Sequence, residues 1–155
     1  MKINKKISVA VAGLLAIAGF TAVPANATPS IAYTTMYDTT NGYQVVNGIA
    51  TVTITTDTST TDSVALAGVG SIVSATAGTN DTVTIAPFAS VSGGAVNAFQ
   101  VTNGSAGSGT LTVALFSSAI GASTLSITPI NQSTGIAGSP VSTTVTWVNQ
   151  TQIGI

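Results

Sequence analysis

Thr51-Val52-Thr53-Ile54-Thr55 sets Val52 and Ile54 on one side of an extended chain and three Thr on the other. Successive side chains of a strand point to opposite faces, so this period of two describes a half-buried β-strand with a dry aliphatic face and a wet hydroxyl face. Thr suits the wet face, because its branched Cβ favours the extended backbone. The same device recurs at Thr82-Val83-Thr84-Ile85, Thr110-Leu111-Thr112-Val113 and Leu125-Ser126-Ile127. Near the end, Val141, Val145 and Trp147 share a parity, with Thr144 and Thr146 opposite.

Turn-forming runs separate these blocks: Thr40-Asn41-Gly42, residues 57–62, Gly78-Thr79-Asn80-Asp81, Gly93-Gly94, residues 103–109 and residues 131–140. Beyond residue 27 there is no Glu, Lys or Arg to coat an exposed helical face, and Ser, Thr and Gly interrupt every helical window. The spacing predicts strands near 31–37, 43–56, 64–75, 81–88, 95–102, 110–116, 123–130 and 141–148. The expected fold class is all-β, a sandwich of about seven to eight antiparallel strands.

The chain's three Lys (Lys2, Lys5, Lys6) precede an uncharged apolar run over residues 7–20, and Ala25-Asn26-Ala27 follows. A basic tip, a short apolar core and a small-x-small site are the parts of a secretory signal peptide, here a helix cleaved between Ala27 and Thr28. The run is shorter than the ~20 residues that span a bilayer, so no membrane span is expected in the mature form. Cleavage removes 27 of 155 residues and every Lys, so the formal charge falls from −1 to −4, carried by Asp38, Asp57, Asp62 and Asp81. The expected organisation is a signal peptide at 1–27, an N-terminal strand or extension at 28–42, a sandwich at 43–148 and a tail at 149–155. A chain without basic groups has nothing with which to neutralise phosphates, which excludes nucleic acid and anionic lipid as partners. Cys is absent, so stability after export rests on packing and strand pairing and not on cross-links.

The stretch Gly121-Ala122-Ser123-Thr124-Leu125-Ser126-Ile127-Thr128-Pro129, then Ser139-Pro140-Val141-Ser142-Thr143-Thr144-Val145-Thr146, resembles the closing strands of bacterial immunoglobulin-like domains. Asn47-Gly48-Ile49-Ala50-Thr51-Val52 is similar to the first core strands of the same group. The composition is similar to that of S-layer and other bacterial surface proteins. The resemblance implies an immunoglobulin-like β-sandwich that is secreted or held at the cell surface and serves a structural or adhesive role. Its partners would be other surface proteins or further copies of itself. Ser123 and Thr124 stand where the group often has a Tyr, and the paired Cys of antibody domains are missing.

Without His or Cys, nucleophilic triads and zinc sites lose their usual members, and no Gly-rich loop is followed by a phosphate-binding Lys. No enzyme is expected. Asp38-Thr39-Thr40-Asn41-Gly42 reads as a turn. No metal or cofactor is expected: Asp57, Asp62, Asn80 and Asp81 fall in expected inter-strand turns and are read first as caps of those turns. The alternative is that they are candidates for calcium, because hard cations take clustered oxygens. Tyr33, Tyr37 and Tyr43 could stack on sugar rings, as a carbohydrate-binding module would use them on polysaccharide, or could cover the edge of the core. Tyr33 and Tyr37 share a parity and would face the same way on one strand. An almost uncharged surface offers little repulsion to self-association, and Thr-rich strands would leave open edges for it.

Overall fold

The computed structural model describes residues 29–83, 97–105 and 107–153. The leader with its Ala27/Thr28 cut, the far part of the strand expected at 81–88, and Gly93-Gly94 lie outside the described residues.

Among the described residues ten strands form two sheets: β1 (Ser30–Thr35), β2 (Tyr43–Val45), β3 (Ile49–Thr56), β4 (Thr60–Gly68), β5 (Ser71–Ala77), β6 (Asp81–Val83), β7 (Ala98–Asn103), β8 (Gly109–Phe116), β9 (Gly121–Thr128) and β10 (Val141–Val148). One sheet runs β2-β10-β9-β4-β7-β6 and the other β1-β3-β8-β5. A 3₁₀ turn, Gln150–Ile153, follows the last strand. Among the described residues no helix is long and apolar enough to cross a membrane.

The alternation seen in the sequence is the alternation of burial. Ala50, Val52 and Ile54 of β3 face Leu125 and Ile127 of β9, Val64 of β4 and Val145 and Trp147 of β10 across the interior, joined by Leu111, Val113 and Leu115 of β8. Burying each such side chain contributes about 1.5–3 kcal/mol. On the outer faces hydroxyls pair between neighbouring strands: Thr34 with Thr53 at 2.7 Å, Thr124 with Thr144 at 3.2 Å and Ser126 with Ser142 at 2.8 Å. Such cross-strand pairs add a few tenths of a kcal/mol each and let Thr satisfy itself on a surface without charge.

Two stretches expected as single strands are each two. The chain expected at 43–56 leaves the six-stranded sheet after Val45 and enters the four-stranded sheet at Ile49; the chain expected from 64 to 75 changes sheets between Gly68 and Ser71. Each crossing uses left-handed backbone, at Asn47 (φ 67°) and at Gly68 and Gly70 (φ 97° and 80°). At Gly68 a Cβ would stand 2.1 Å from the Ala122 carbonyl oxygen, so only glycine fits. These corners raise the strand count above the seven or eight expected. The pairing is also not wholly antiparallel, because β2 runs parallel to β10, with Tyr43 beside Thr146 and Val45 beside Val148.

The segment expected as an N-terminal strand or extension carries β1, which pairs along β3 and forms an edge of the four-stranded sheet. At β1, β5 and β2 the edges are not the open rows expected from Thr-rich strands. β1 and β5 each carry a register shift, at Tyr33/Thr35 and at Ile72/Ser74, and β2 is only three residues long. Bulged and short edges interrupt the row of free N–H and C=O groups that a neighbouring strand would need.

Trp147, the chain's one Trp, is fully buried beside the β4–β5 corner. Its indole N–H donates to Ser123 Oγ at 2.7 Å, and that hydroxyl donates to the Val69 carbonyl. A short hydrogen-bonded chain thus ties β10 through β9 to the corner where the chain changes sheets.

Candidate functional site: carboxylates inside one end of the sandwich

In β4 the inward-facing positions read Thr60, Asp62, Val64 and Leu66, so the buried row begins polar and turns aliphatic. β7 lies beside it with Thr60 opposite Asn103 and Asp62 opposite Val101, and β6 follows with Asp81 opposite Asn103. The register therefore gathers Thr60, Asp62, Asn103 and Asp81 at one end of one sheet's inner face. The facing sheet supplies Thr56, the last residue of β3, paired with Gly109 at the start of β8, and Asp57 directly after it.

Three of the chain's four Asp are buried here: Asp57 is 5% exposed, Asp62 0% and Asp81 7%. Some of their oxygens are satisfied. Thr56 Oγ1 donates to Asp81 Oδ1 at 2.7 Å and in turn accepts from Asn103 Nδ2 at 3.3 Å. The Thr58 N–H donates to Asp57 Oδ1 at 2.7 Å, and Thr60 Oγ1 to the Asp57 carbonyl at 3.1 Å. Asp81 lies against Gly109, where a Cβ would come within 2.2 Å of Oδ1. The loop after β9 closes the end: Gln132 Nε2 donates to the carbonyls of Thr60 and Asn103, at 2.9 and 3.1 Å.

Four buried carboxylate oxygens remain without a hydrogen bond: Asp57 Oδ2, Asp81 Oδ2 and both oxygens of Asp62. Burial pushes the Asp62 carboxyl up to about 6; the Thr60 hydroxyl and the Ile130 N–H draw it partly back without reaching hydrogen-bond geometry, and the charges of Asp81 and Asp57 raise it further. Burial also raises Asp81, against the pull of the Thr56 hydroxyl. Beyond Lys6 the chain has no basic side chain, so among the described residues no cation balances this group. The three carboxylates are neighbours, but among the described residues no three acidic side chains converge into a finished metal-ligand set.

The expected calcium candidates are therefore divided by the structure. Asp57, Asp62 and Asp81 come together. Asn80 does not: it is exposed, in left-handed backbone (φ 65°), and its Nδ2 donates to the Ser108 carbonyl at 2.9 Å. Turn capping accounts for Asn80 and for one oxygen of Asp57, but not for Asp62, which lies inside β4 and not in a turn. Thr56, Thr60 and Asn103 belong to the same polar end and are not among the metal candidates read from the sequence. Their signal is parity: Asp62 falls in step with Val64 and Leu66, and Asn103 with Val101 and Phe99.

Asp38 does form a turn. The N–H groups of Thr40 and Asn41 donate to its Oδ1 at 2.9 and 3.0 Å and Asn41 Nδ2 to its Oδ2 at 2.9 Å, which holds its pKa below the ordinary value. The tyrosines are not a row. Tyr33 is half-buried and its hydroxyl donates to the Thr144 carbonyl, bridging the two sheets. β1 ends at Thr35, so Tyr37 is off that strand; Tyr37 and Tyr43 are 48% and 38% exposed, on either side of the Asp38 turn. A shallow hollow between Gly70-Ser71 and residues 116–119 is lined without a titratable side chain.

No protein-family model matches this chain and no curated protein is similar to it, which leaves the residues themselves as the ground for a functional reading.

Proposed function

We propose that this chain is a non-catalytic structural or adhesive module of the cell exterior, an immunoglobulin-like β-sandwich exported by its leader and able to associate with surface proteins or with itself. The strand orders β1-β3-β8-β5 and β10-β9-β4 support the fold part of this reading, since immunoglobulin-like sandwiches pair A-B-E-D in one sheet and G-F-C in the other. In that correspondence β7 and β6 widen the second sheet beyond the C strand, and the buried Trp comes from the last strand.

The observation that carries the functional part is the surface. With three Asp buried, Asp38 is the one charged side chain among the described residues with substantial exposure, and it is held within its own turn. The rest is a weave of Thr and Ser hydroxyls with scattered apolar groups such as Ile49, Val73 and Ile120. Such a surface adheres by hydrogen bonds and apolar contact, not by charge, and near-neutral surfaces associate readily. The blunted edges direct that contact to the faces. Light scattering of the secreted protein at rising concentration, in low and in high salt, tests this: association that salt does not weaken is expected. A strict monomer that also fails to adhere to cell envelopes refutes the proposal. Recovery of a product that begins at Thr28 tests the export step.

A second reading, a carbohydrate-binding module, is favoured by the exposure of Tyr37 and Tyr43 beside one turn. Replacing both by Ala should abolish polysaccharide pull-down if it holds and should leave retention unchanged if it does not. Tyr33, with its hydroxyl engaged by Thr144, would serve that module only as support.

A further inference from the structure

We propose that the closed end of the sandwich formed by Asp57, Asp62 and Asp81 takes up a divalent cation of the oxygen-seeking kind, calcium above others, and that this ion is the missing counter-charge of the fold.

The case starts from economy of residues. The chain has four acidic side chains in all, and three stand together in the interior, whereas a structural role in turns or solubility would leave them in water. Asp62 is the independent observation. It is fully buried at an inward strand position, neither oxygen has a donor within hydrogen-bond geometry, and it faces the charges of both Asp57 and Asp81. Buried carboxylates persist when they are paired or bind metal. Pairing among the described residues is impossible, because no Lys, Arg or His occurs beyond residue 6, and the proposed loss of the leader removes the three Lys before it. The cation has to come from outside.

The chemistry of the donors selects the ion. Every available group is an oxygen: the unsatisfied carboxylate oxygens, the hydroxyls of Thr56 and Thr60, and nearby backbone carbonyls. Calcium accepts six to eight such ligands in irregular geometry, with water filling the remainder, whereas zinc prefers nitrogen or sulfur and magnesium gives up its water reluctantly. Because the three carboxylates do not yet converge, binding has to draw them together. Asp57 is carried by the 57–59 connection between β3 and β4, outside either strand, which turns through left-handed backbone at Ser59 (φ 56°). The ion would thereby fasten the β3–β4 crossing, a link between the two sheets, to β6.

The test uses the full chain freed of metal by a chelator. Calcium binding is measured directly by equilibrium dialysis with radioactive calcium, and thermal melts are recorded against calcium and magnesium. Extracellular calcium modules bind with dissociation constants of about 10⁻⁴–10⁻³ M, so ~10 mM calcium should raise the folding constant about 10- to 100-fold. Asp62→Asn and Asp81→Asn should each abolish both the bound calcium and the melting shift while remaining folded without metal, since each removes a buried charge. Asp38→Asn should retain both. Absence of bound calcium at ~10 mM, an equal response to magnesium, or calcium binding that survives in both Asp62→Asn and Asp81→Asn would each overturn the proposal.

Discussion

Ser123→Ala isolates the hydrogen-bonded chain that joins Trp147 to the β4–β5 corner. Ser123 is 1% exposed and Trp147 fully buried, so water cannot replace the lost hydroxyl at the indole. The substitution leaves the Trp147 N–H, 2.7 Å from Oγ in the native protein, with no acceptor. A buried donor without a partner costs about 1–3 kcal/mol. The Val69 carbonyl also loses a donor but belongs to a half-exposed residue, so its loss adds little. The expected destabilisation is about 2 kcal/mol. For a domain of this size each kcal/mol moves the melting temperature by roughly 3–6 °C, so Ser123→Ala should melt about 6–12 °C lower. Urea unfolding followed by circular dichroism measures the difference in the native background and again in Trp147→Phe, which has no N–H to strand. In the second background the cost should fall by at least about 1 kcal/mol. An equal cost in both backgrounds, or a cost below about 0.5 kcal/mol in the first, refutes the assignment of the bond as a tie between β10 and the corner.

Three further outcomes are expected. In chelator, the folded protein holds the Asp62 proton up to about pH 6 while the unfolded chain releases it near 3.8, so the folded state binds more protons in between. Stability from this group is therefore full below pH ~4 and lost as pH rises through ~6; allowing for solvent screening at this end, the loss is about 1–2 kcal/mol, and melts of Asp62→Asn across that range should be flatter. Gly109→Ala, whose Cβ would meet Asp81 Oδ1 at 2.2 Å, should displace that carboxylate from Thr56 and destabilise by about 1–3 kcal/mol in urea unfolding. Tyr33→Phe removes one hydroxyl from the Thr144 carbonyl and should cost about 1 kcal/mol, with the fold unchanged by circular dichroism.

Much of the architecture was legible because one residue type does two tasks. Thr marks the wet side of a strand and, by its spacing, the parity of the dry side, so Val52, Ile54, Leu111, Val113, Leu125 and Ile127 were identifiable as core. The corners at 46–48 and 68–70 were not legible, since alternation continues through them and only long-range pairing assigns each half to a different sheet. The parallel pairing of β2 with β10 is a contact of the same non-local kind. At the site, the oxygens of Asp57, Asp62 and Asp81 mark them as candidates, yet turn propensity puts all three in turns, whereas Asp62 and Asp81 lie in strands. Turn propensity is a local rule, whereas Asp62 obeys the inward parity of Val64 and Leu66 and Asp81 opens a strand held by its pairing with β7. Tyr33 and Tyr37 were set on one face by a parity that ends when β1 stops at Thr35.

The parallel contact between β2 and β10 has a mechanical consequence. Backbone bonds hold it along its length, from the Thr146 N–H to the Gly42 carbonyl to the Val46 N–H to the Val148 carbonyl. A pull exerted on the N-terminal side of Tyr43 and the C-terminal side of Val148 would drive the two strands past each other along their axes. The bonds would then share the load in shear and yield together, whereas an antiparallel pair drawn apart from one end peels bond by bond. Tension applied between those two ends would meet the domain at its more resistant geometry.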